Sequence, residues 1–460
     1  MDTGDYRTLS FWHESHPGSL APRPSLASDV QLDVAIVGAG YTGLWTAYYL
    51  KTLEPGIRVA IVEAEVAGYG ASGRNGGWCL GTIPGMAGDL DDPAKRDGAL
   101  RLQRALFDAV DEVGRVCESA RIDCHYAKGG SISFATVEAQ RLRLREELER
   151  WRALGFDEDE VRWLDPAESV RRVGAATNLG GLFLQACAAI HPFRLVRGLA
   201  EAVERLGVPV YERSPARSIE GGAVVTAEGR LRADTIVRAT EGYSWRLHGH
   251  SRGLLPMHSN IVATEPLPER VWKEIGLEGR ETFADARHLV IYGQRTADDR
   301  IVFGARGKYF YGSGIRERLA PGDAEFSTVQ GILRSLFPVL RDHEITHRWS
   351  GTLAVPRDWR PSVGIDRSRG VAWAGGYVGE GVAAANLAGR TLAELLLLRA
   401  SERTDLPLVG RPFPRWELEP LRWLGVSVIR RLGAALDAVE LRGRPTPRLR
   451  GALFDAFVRK

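Results

Sequence analysis

The sequence predicts an α/β fold, α+β overall, in which a nucleotide-type βαβ domain is assembled from separated segments with a β-rich domain inserted between them. Three observations predict it. An apolar run, Asp33-Val34-Ala35-Ile36-Val37, enters the glycine turn Gly38-Ala39-Gly40-Tyr41-Thr42-Gly43. Far downstream, Val371-Ala372-Trp373-Ala374-Gly375-Gly376 enters a second turn, Tyr377-Val378-Gly379-Glu380-Gly381-Val382, followed by a small-residue helix. Between them, residues 250 to 350 read mostly as strands, for example Ser259 to Thr264, Leu289 to Tyr292 and Arg300 to Gly304, with a helix near Val329 to Leu336. Each glycine turn delivers a buried strand to the amino end of a helix, where unpaired backbone N–H groups can hold an anion. Two such turns point to one large dinucleotide held at two polar places.

Taken in order, residues 33 to 64 form a complete βαβ unit. Its helix runs from about Leu44 to Leu53, Pro55-Gly56 stops it, and the strand Arg58 to Glu63 follows. Gly38 permits the tight turn, Gly40 lets a pyrophosphate approach, and Gly43 lets helix and strand pack closely. Glu63 ends the second strand, where its carboxylate can accept both ribose hydroxyls and would repel a 2′-phosphate. NAD and FAD both fit to this point. A glycine-dense loop runs from Gly68 to Gly88, bringing backbone amides close to a bulky planar ligand, and Arg74 adds a charge-assisted contact to phosphate or reduced flavin.

Residues 95 to 155 are charged and helix-like, with Leu102, Leu106, Val110 and Val113 at helical spacing. A helix from Phe193 to Leu206 precedes short strands at Val208 to Tyr211, Ala223 to Thr226 and Asp234 to Ala239. The expected division is a Pro-, Ser- and His-rich surface arm (1–32), a cofactor domain (33–94, 180–248 and 350–404), a substrate domain (95–179 and 249–349) and a basic helical tail (405–460).

With 460 residues, 44% hydrophobic and 26% charged, the chain can bury a full core. A net charge of +3, with no basic stripe or zinc spacing, excludes a nucleic-acid binder and predicts no metal site. Cys79, Cys117, Cys124 and Cys187 lack metal-type spacing and read as reduced, buried thiols. The amino terminus lacks the basic and apolar regions of a signal peptide, and no stretch is apolar enough to span a bilayer. A cytoplasmic protein is expected.

The sequence resembles the FAD-dependent amine and amino-acid oxidoreductases of the D-amino-acid oxidase and sarcosine oxidase superfamily, most of all the γ-glutamylputrescine oxidase-like branch. The resemblance rests on the fingerprint with Glu63, the loop Gly70-Ala71-Ser72-Gly73-Arg74-Asn75-Gly76-Gly77, and the segment Val237-Arg238-Ala239-Thr240-Glu241-Gly242-Tyr243. It rests also on Trp349-x-Gly351, Asp358-Trp359-Arg360-Pro361 and the closing Gly375 to Gly381 motif. It implies a glutathione-reductase-type FAD-binding domain. Gly38, Gly40, Tyr41, Thr42 and Gly43 would hold the FAD pyrophosphate, and Glu63 and Ala64 the adenosine ribose. Ala71, Ser72, Gly73, Arg74 and Asn75 would line the flavin phosphate and ring, with Ala216 at the adenine and Thr240 alongside. Gly376, Gly379, Gly381 and Val382 would aim amides and the positive helix end at the flavin pyrimidine edge, which becomes anionic on reduction.

Two departures from the pattern matter. No cysteine follows Cys187 and no histidine lies between His16 and His125, so noncovalent FAD is expected. Leu80 to Leu90 contains no arginine to bind a substrate carboxylate, which leans the substrate toward an amine. By rough register Tyr292 matches an active-site tyrosine of the sarcosine oxidase group, and Arg306 or Lys308 would supply a cation that helps oxygen reduction. All three also read as ordinary strand residues. His258 reads as a satisfied or exposed histidine, and Trp78, Trp349 and Trp359 as core or pocket walls.

The expected reaction is oxidation of a primary or secondary amine or an amino acid. Hydride passes to flavin N5, the imine hydrolyses, and O2 or another acceptor reoxidises the flavin. The alternatives are an FAD-dependent α-hydroxy acid or polyol dehydrogenase of the same fold, and a flavin-binding tailoring protein without such turnover. The tail carries eleven Lys/Arg against six Asp/Glu and is expected to dock on the body, with membrane-surface contact as the other reading.

Overall fold

The computed structural model describes residues 6–247 and 252–458. The first five residues of the arm, the expected boundary at 248/249 and the last two residues of the tail lie outside them. In chain order the principal elements are β1 (Val30–Val37), α1 (Tyr41–Leu53), β2 (Val59–Val62), α2 (Arg96–Ser119), β3 (Ser131–Phe134), α3 (Glu138–Ala153), β4 (Val161–Leu164) and β5 (Gly181–Leu184). Next come α4 (Pro192–Arg205), β6 (Val210–Tyr211), β7 (Arg230–Arg238), β8 (Leu254–Thr264), β9 (Thr282–Asp285), β10 (Ile291–Arg295), β11 (Ile301–Arg306) and α5 (Ala324–Leu336). The chain closes with β12 (Ile345–Pro356), β13 (Ser362–Asp366), β14 (Val371–Gly375), α6 (Gly381–Leu396), α7 (Leu421–Glu440) and α8 (Arg448–Val458).

Two large sheets organise the molecule. The first runs β13-β14-β7-β1-β2-β6, parallel along this path except for the antiparallel β13–β14 pair, and the short strands Ser218–Glu220 and Ala223–Val225 form an antiparallel hairpin on the start of β7. Its central strands are apolar on both faces: Val34, Ile36, Val59 and Ile61 share a core with α1, α2, α4 and α6, while Ala35, Val37, Ala60 and Val62 pack with Leu26, Ile219 and Val224. The second sheet runs β12-β8-β11-β10-β9-β3-β5-β4 and is antiparallel except between β9 and β3. Its strands come from both halves of the chain, so β5 and β12 belong to the β-rich layer.

The structure differs from the sequence reading in three places. Helix α1 begins at Tyr41 because Gly40 is already its amino cap, so Gly43 lies inside the helix. The charged stretch 95–155 is two helices separated by β3. Gly130 breaks the pattern with φ +81° and the Ser-Ile-Ser-Phe run pairs into the second sheet. The amino-terminal arm is not confined to the surface: Phe11, Trp12 and His13 are buried, and the Trp12 indole donates to the Asn75 carbonyl at 2.8 Å. Its Pro, Ser and His composition masked a three-residue anchor.

The tail docks on the body. Trp416, Val426, Leu436 and Phe454 share a core with Leu255, Met257, Val355 and Trp359. Asp437 accepts the His288 and Leu289 N–H groups at 2.7 and 3.1 Å, and Glu440 meets His288 at 2.9 Å and Arg143 at 2.7 Å. Among the described residues no helix is long and apolar enough to cross a membrane.

Candidate active site

The parallel order of β7, β1 and β2 brings their carboxyl ends to one edge of the first sheet, where an α/β sheet leaves its crevice. At β1 the chain turns through Gly38 at φ +107°, and a Cβ there would meet the Ala239 carbonyl oxygen at 2.5 Å. At Gly43 a Cβ would meet the Gly38 oxygen at 2.0 Å, so helix and turn touch through backbone alone. Glu63 ends β2 and accepts the Ala39 N–H at 2.8 Å and the Glu65 N–H at 3.1 Å. Burial raises its carboxyl to about 7 against those bonds, which pull the other way.

A cavity of about 350 Å³ runs from this edge to the second sheet. Of the residues named from the sequence, Gly38, Gly40, Tyr41, Thr42, Glu63, Ala64, Ala71, Ser72, Arg74, Asn75, Ala216, Thr240, Gly379, Gly381, Val382, Tyr292 and Arg306 line it. The glycine-dense loop folds its Ala71–Arg74 segment into one helical turn. There Ser72 Oγ accepts the Tyr41 N–H at 2.9 Å, coupling the loop to the first turn. Arg74 is buried and its Nη1 donates to the Glu317 carbonyl at 3.0 Å. Its Nε and Nη2 are buried without a hydrogen-bond partner among the described residues.

Four named residues are not among the lining groups. Gly43 lies behind the first turn as packing, and Gly73 does the same in the loop, where a Cβ would meet the Gly68 oxygen at 2.1 Å. Gly376 is directed elsewhere: its N–H donates to Glu241 at 2.9 Å, and the Tyr377 N–H joins it at 3.3 Å. Lys308 lies beyond the end of β11 with its ammonium 3.5 Å from Glu325, so chain direction carries it away from the cavity that Arg306 lines. His258 is buried; its Nε2 accepts the Arg316 N–H at 3.0 Å.

At the second sheet, Tyr292 donates its hydroxyl to Ser259 Oγ at 2.6 Å, since that serine in turn donates to the Ala305 carbonyl. Its ring lies between two glycines: a Cβ at Gly76 or at Gly304 would come within 2.4 Å of it. Arg306 donates to the Val378 carbonyl at 3.1 Å and lies over the Trp359 ring at 5.2 Å. Burial lowers its pKa, while Glu380 and Tyr292 act in the opposite direction. Glu380 caps α6 beside it, and its carboxylate makes no hydrogen bond or salt bridge among the described residues. Burial raises that carboxyl to about 7, and Arg306 only partly offsets this.

Three participants went unassigned at the sequence level: Ser259, Glu241 and Glu380. Glu241 and Glu380 stand inside the recognised motifs, with no role assigned to either side chain. Glu241 adopts φ +41°, and its burial raises its carboxyl to about 7.

Residues 33–395 match the DAO family, FAD dependent oxidoreductase. The chain belongs to this family. It is 30% identical over 413 residues to gamma-glutamylputrescine oxidoreductase of Escherichia coli K12, covering 88% of this chain and 93% of that protein. It is 32% identical over 398 residues to the probable oxidoreductase OrdL of Rhizobium meliloti, covering 85% and 89% respectively. The crystal structure of glycine oxidase from Geobacillus kaustophilus aligns with TM-score 0.69 at 21% identity, covering 84% of this chain and all of that one. As a member of the DAO family the protein is an FAD-dependent oxidoreductase with the glycine-oxidase type of fold. The family match ends at residue 395, before α7 and α8.

Proposed function

We propose that the protein oxidises a primary or secondary amine, binding FAD noncovalently in the cavity between the two sheets. FAD, when bound, accepts a hydride from the carbon next to the nitrogen and later passes the electrons to O2 or another acceptor. The residues present fit that group. Gly38 and Gly40 leave the first turn without side chains at the edge where a pyrophosphate would lie, and Glu63 stands where a ribose would. The two unpartnered guanidinium nitrogens of Arg74 supply donors for an anionic group. The amino end of α6, with Gly379, Gly381 and Val382 on the cavity, favours negative charge on the ligand edge it faces. No cysteine or histidine lines the cavity among the described residues, which supports a noncovalent attachment.

The observation that carries the amine reading is Glu380. A half-buried carboxylate without a hydrogen-bonded partner among the described residues, its pKa raised to about 7 and lining the cavity with Tyr292, can take a proton from an ammonium group. The nitrogen then becomes neutral, with a lone pair to support loss of hydride from the neighbouring carbon. Tyr292 is held by Ser259 and would orient the substrate, and Arg306 balances the carboxylate charge. The E. coli relative, named for γ-glutamylputrescine, points to the same substrate class. We further propose that the first sheet and the second sheet are the cores of a cofactor and a substrate domain, and that the enzyme is cytoplasmic, consistent with four free buried cysteines.

The deciding experiment is an anaerobic titration of the FAD-loaded protein with polyamines, N-methyl amino acids and D-amino acids, followed by peroxide measurement in air. Amines are expected to bleach the flavin. Bleaching by α-hydroxy acids or polyols alone would replace this reading with a dehydrogenase of the same fold.

A further inference from the structure

A second cavity, of about 1220 Å³, adjoins the first and shares Val290, Arg306 and Glu380 with it. It exceeds the roughly 300–1,000 Å³ of an ordinary small-ligand pocket. Its far wall comes from the tail, through Trp416, Val426, Ile429 and Phe454, and α7 and α8 lie beyond the residues that match the family. Facing them are Met257 and Trp359 from the body, with Leu142 and Trp151 from α3. Trp359 sits at φ +59°, a conformation that costs free energy, and its indole N–H is buried without a partner among the described residues. Of the arginines that line it, Arg143 pairs with Glu440, Arg430 with Glu325 and Arg150 with Asp91, while Arg444 and Arg448 make no salt bridge among the described residues. Met257, Trp359, Trp416, Val426, Ile429 and Phe454 offer an apolar chain a wall of aromatic and aliphatic side chains.

We propose that this cavity is a substrate chamber in which the tail helices hold the apolar body of a long-chain or arylalkyl amine while its nitrogen lies at Glu380. The inference rests on the amine reading and deepens it. The shared residues set the geometry: Glu380 and Arg306, with Val290, line both cavities, so a molecule spanning the two lies against them. Its cationic end therefore meets the carboxylate as its chain remains among aromatic and aliphatic side chains. The apolar contacts supply affinity and the carboxylate supplies polarity. The tail thus determines which amines the enzyme prefers, without touching the reacting carbon.

The test uses the full-length FAD-loaded protein and n-alkyltrimethylammonium ions from butyl to decyl, read as perturbation of the oxidised flavin spectrum. Kd is expected to fall by about threefold for each added methylene. Ile429→Trp, which fills the chamber from α7, is expected to abolish that slope, and Val426→Phe, a smaller change in the same wall, to reduce it. In parallel, kcat/KM for decylamine over butylamine is expected to drop at least about tenfold in either variant. A Kd independent of chain length, or a slope retained in both variants, overturns the chamber. If amines reduce the flavin yet show no length preference, the chamber fails and amine oxidation stands. If no amine of any length reduces the flavin, amine oxidation itself falls, and the occupant named here falls with it.

Discussion

Thr42 Oγ1 and the Tyr377 hydroxyl lie 3.0 Å apart, joining the opening βαβ unit to the late glycine turn. Both side chains are buried, and burial keeps the tyrosine firmly protonated. The bond holds the two amide-rich turns in a fixed mutual position, so that one molecule can span them. Thr42→Val leaves the tyrosine hydroxyl buried and unpaired, an expected cost of about 1–3 kcal/mol in urea denaturation of the apoprotein. The double variant Thr42→Val/Tyr377→Phe removes both partners and is expected to recover most of that loss. Equal destabilisation of single and double variants would show that the hydroxyl pair contributes nothing by itself.

Glu63 tests the ribose assignment. Its carboxylate organises the first turn through the Ala39 N–H and would also receive ribose hydroxyls. Glu63→Ala is expected to weaken FAD by about ten- to a hundredfold, measured by titrating apoprotein with FAD and following flavin fluorescence. Unchanged affinity would place the ribose elsewhere.

FAD is expected to dissociate on acid precipitation, leaving a colourless pellet and a yellow supernatant. The cavity lining offers no cysteine sulfur or imidazole for attachment among the described residues. Colour that stays with the pellet would refute noncovalent binding.

The first sheet was legible in the sequence because its signals are local. The glycines, the apolar runs of β1 and β2 and Glu63 lie within one βαβ unit. Lys308 parts from Arg306 because it lies past the end of β11, in the turn, where its ammonium meets Glu325, a contact with no local mark in the sequence. Ser259 was invisible because its role depends on β8, β10 and β11 being adjacent, a long-range pairing with no local mark. Gly376 shows the opposite error. Its motif was recognised, but its amide is taken by Glu241 from the end of β7, a contact across 135 residues. The chamber wall has a similar cause: docking of the tail was expected, but which body residues it meets, Trp359 and Met257 among them, depends on long-range packing with no local mark.

Tyr292 is positioned by what its neighbours lack. With Gly76 on one side and Gly304 on the other, a methyl group at either would come within 2.4 Å of the ring. Gly304→Ala lies mid-strand and is expected to cost about 1–3 kcal/mol through overpacking while displacing the ring. Flavin reduction by amine should slow more in Gly304→Ala than in Tyr292→Phe, which keeps the ring in place and loses only the bond to Ser259. The reverse order, read by stopped-flow absorbance, would mean that the hydroxyl matters and the ring position does not.

Glu380 makes the sharpest prediction because its two consequences have opposite signs. Its carboxyl titrates at about 7 in the folded chain against an ordinary 4.5. Between those values the native state binds more protons than the unfolded one, so this residue lowers stability as pH rises through the window. Apoprotein Glu380→Gln should therefore show a flatter stability curve from about pH 4.5 to 7 than the parent protein. Catalysis should move the other way. The ionised carboxylate is the form that takes a proton from the substrate ammonium, so flavin reduction by amine should rise as pH passes through about 7. Glu380→Gln should lose that step and keep only the rise set by the ionisation of the free amine. If the variant kept the step near neutrality while its stability curve flattened, Glu380 would be a structural acid of the fold, and the proton would have to pass to another group.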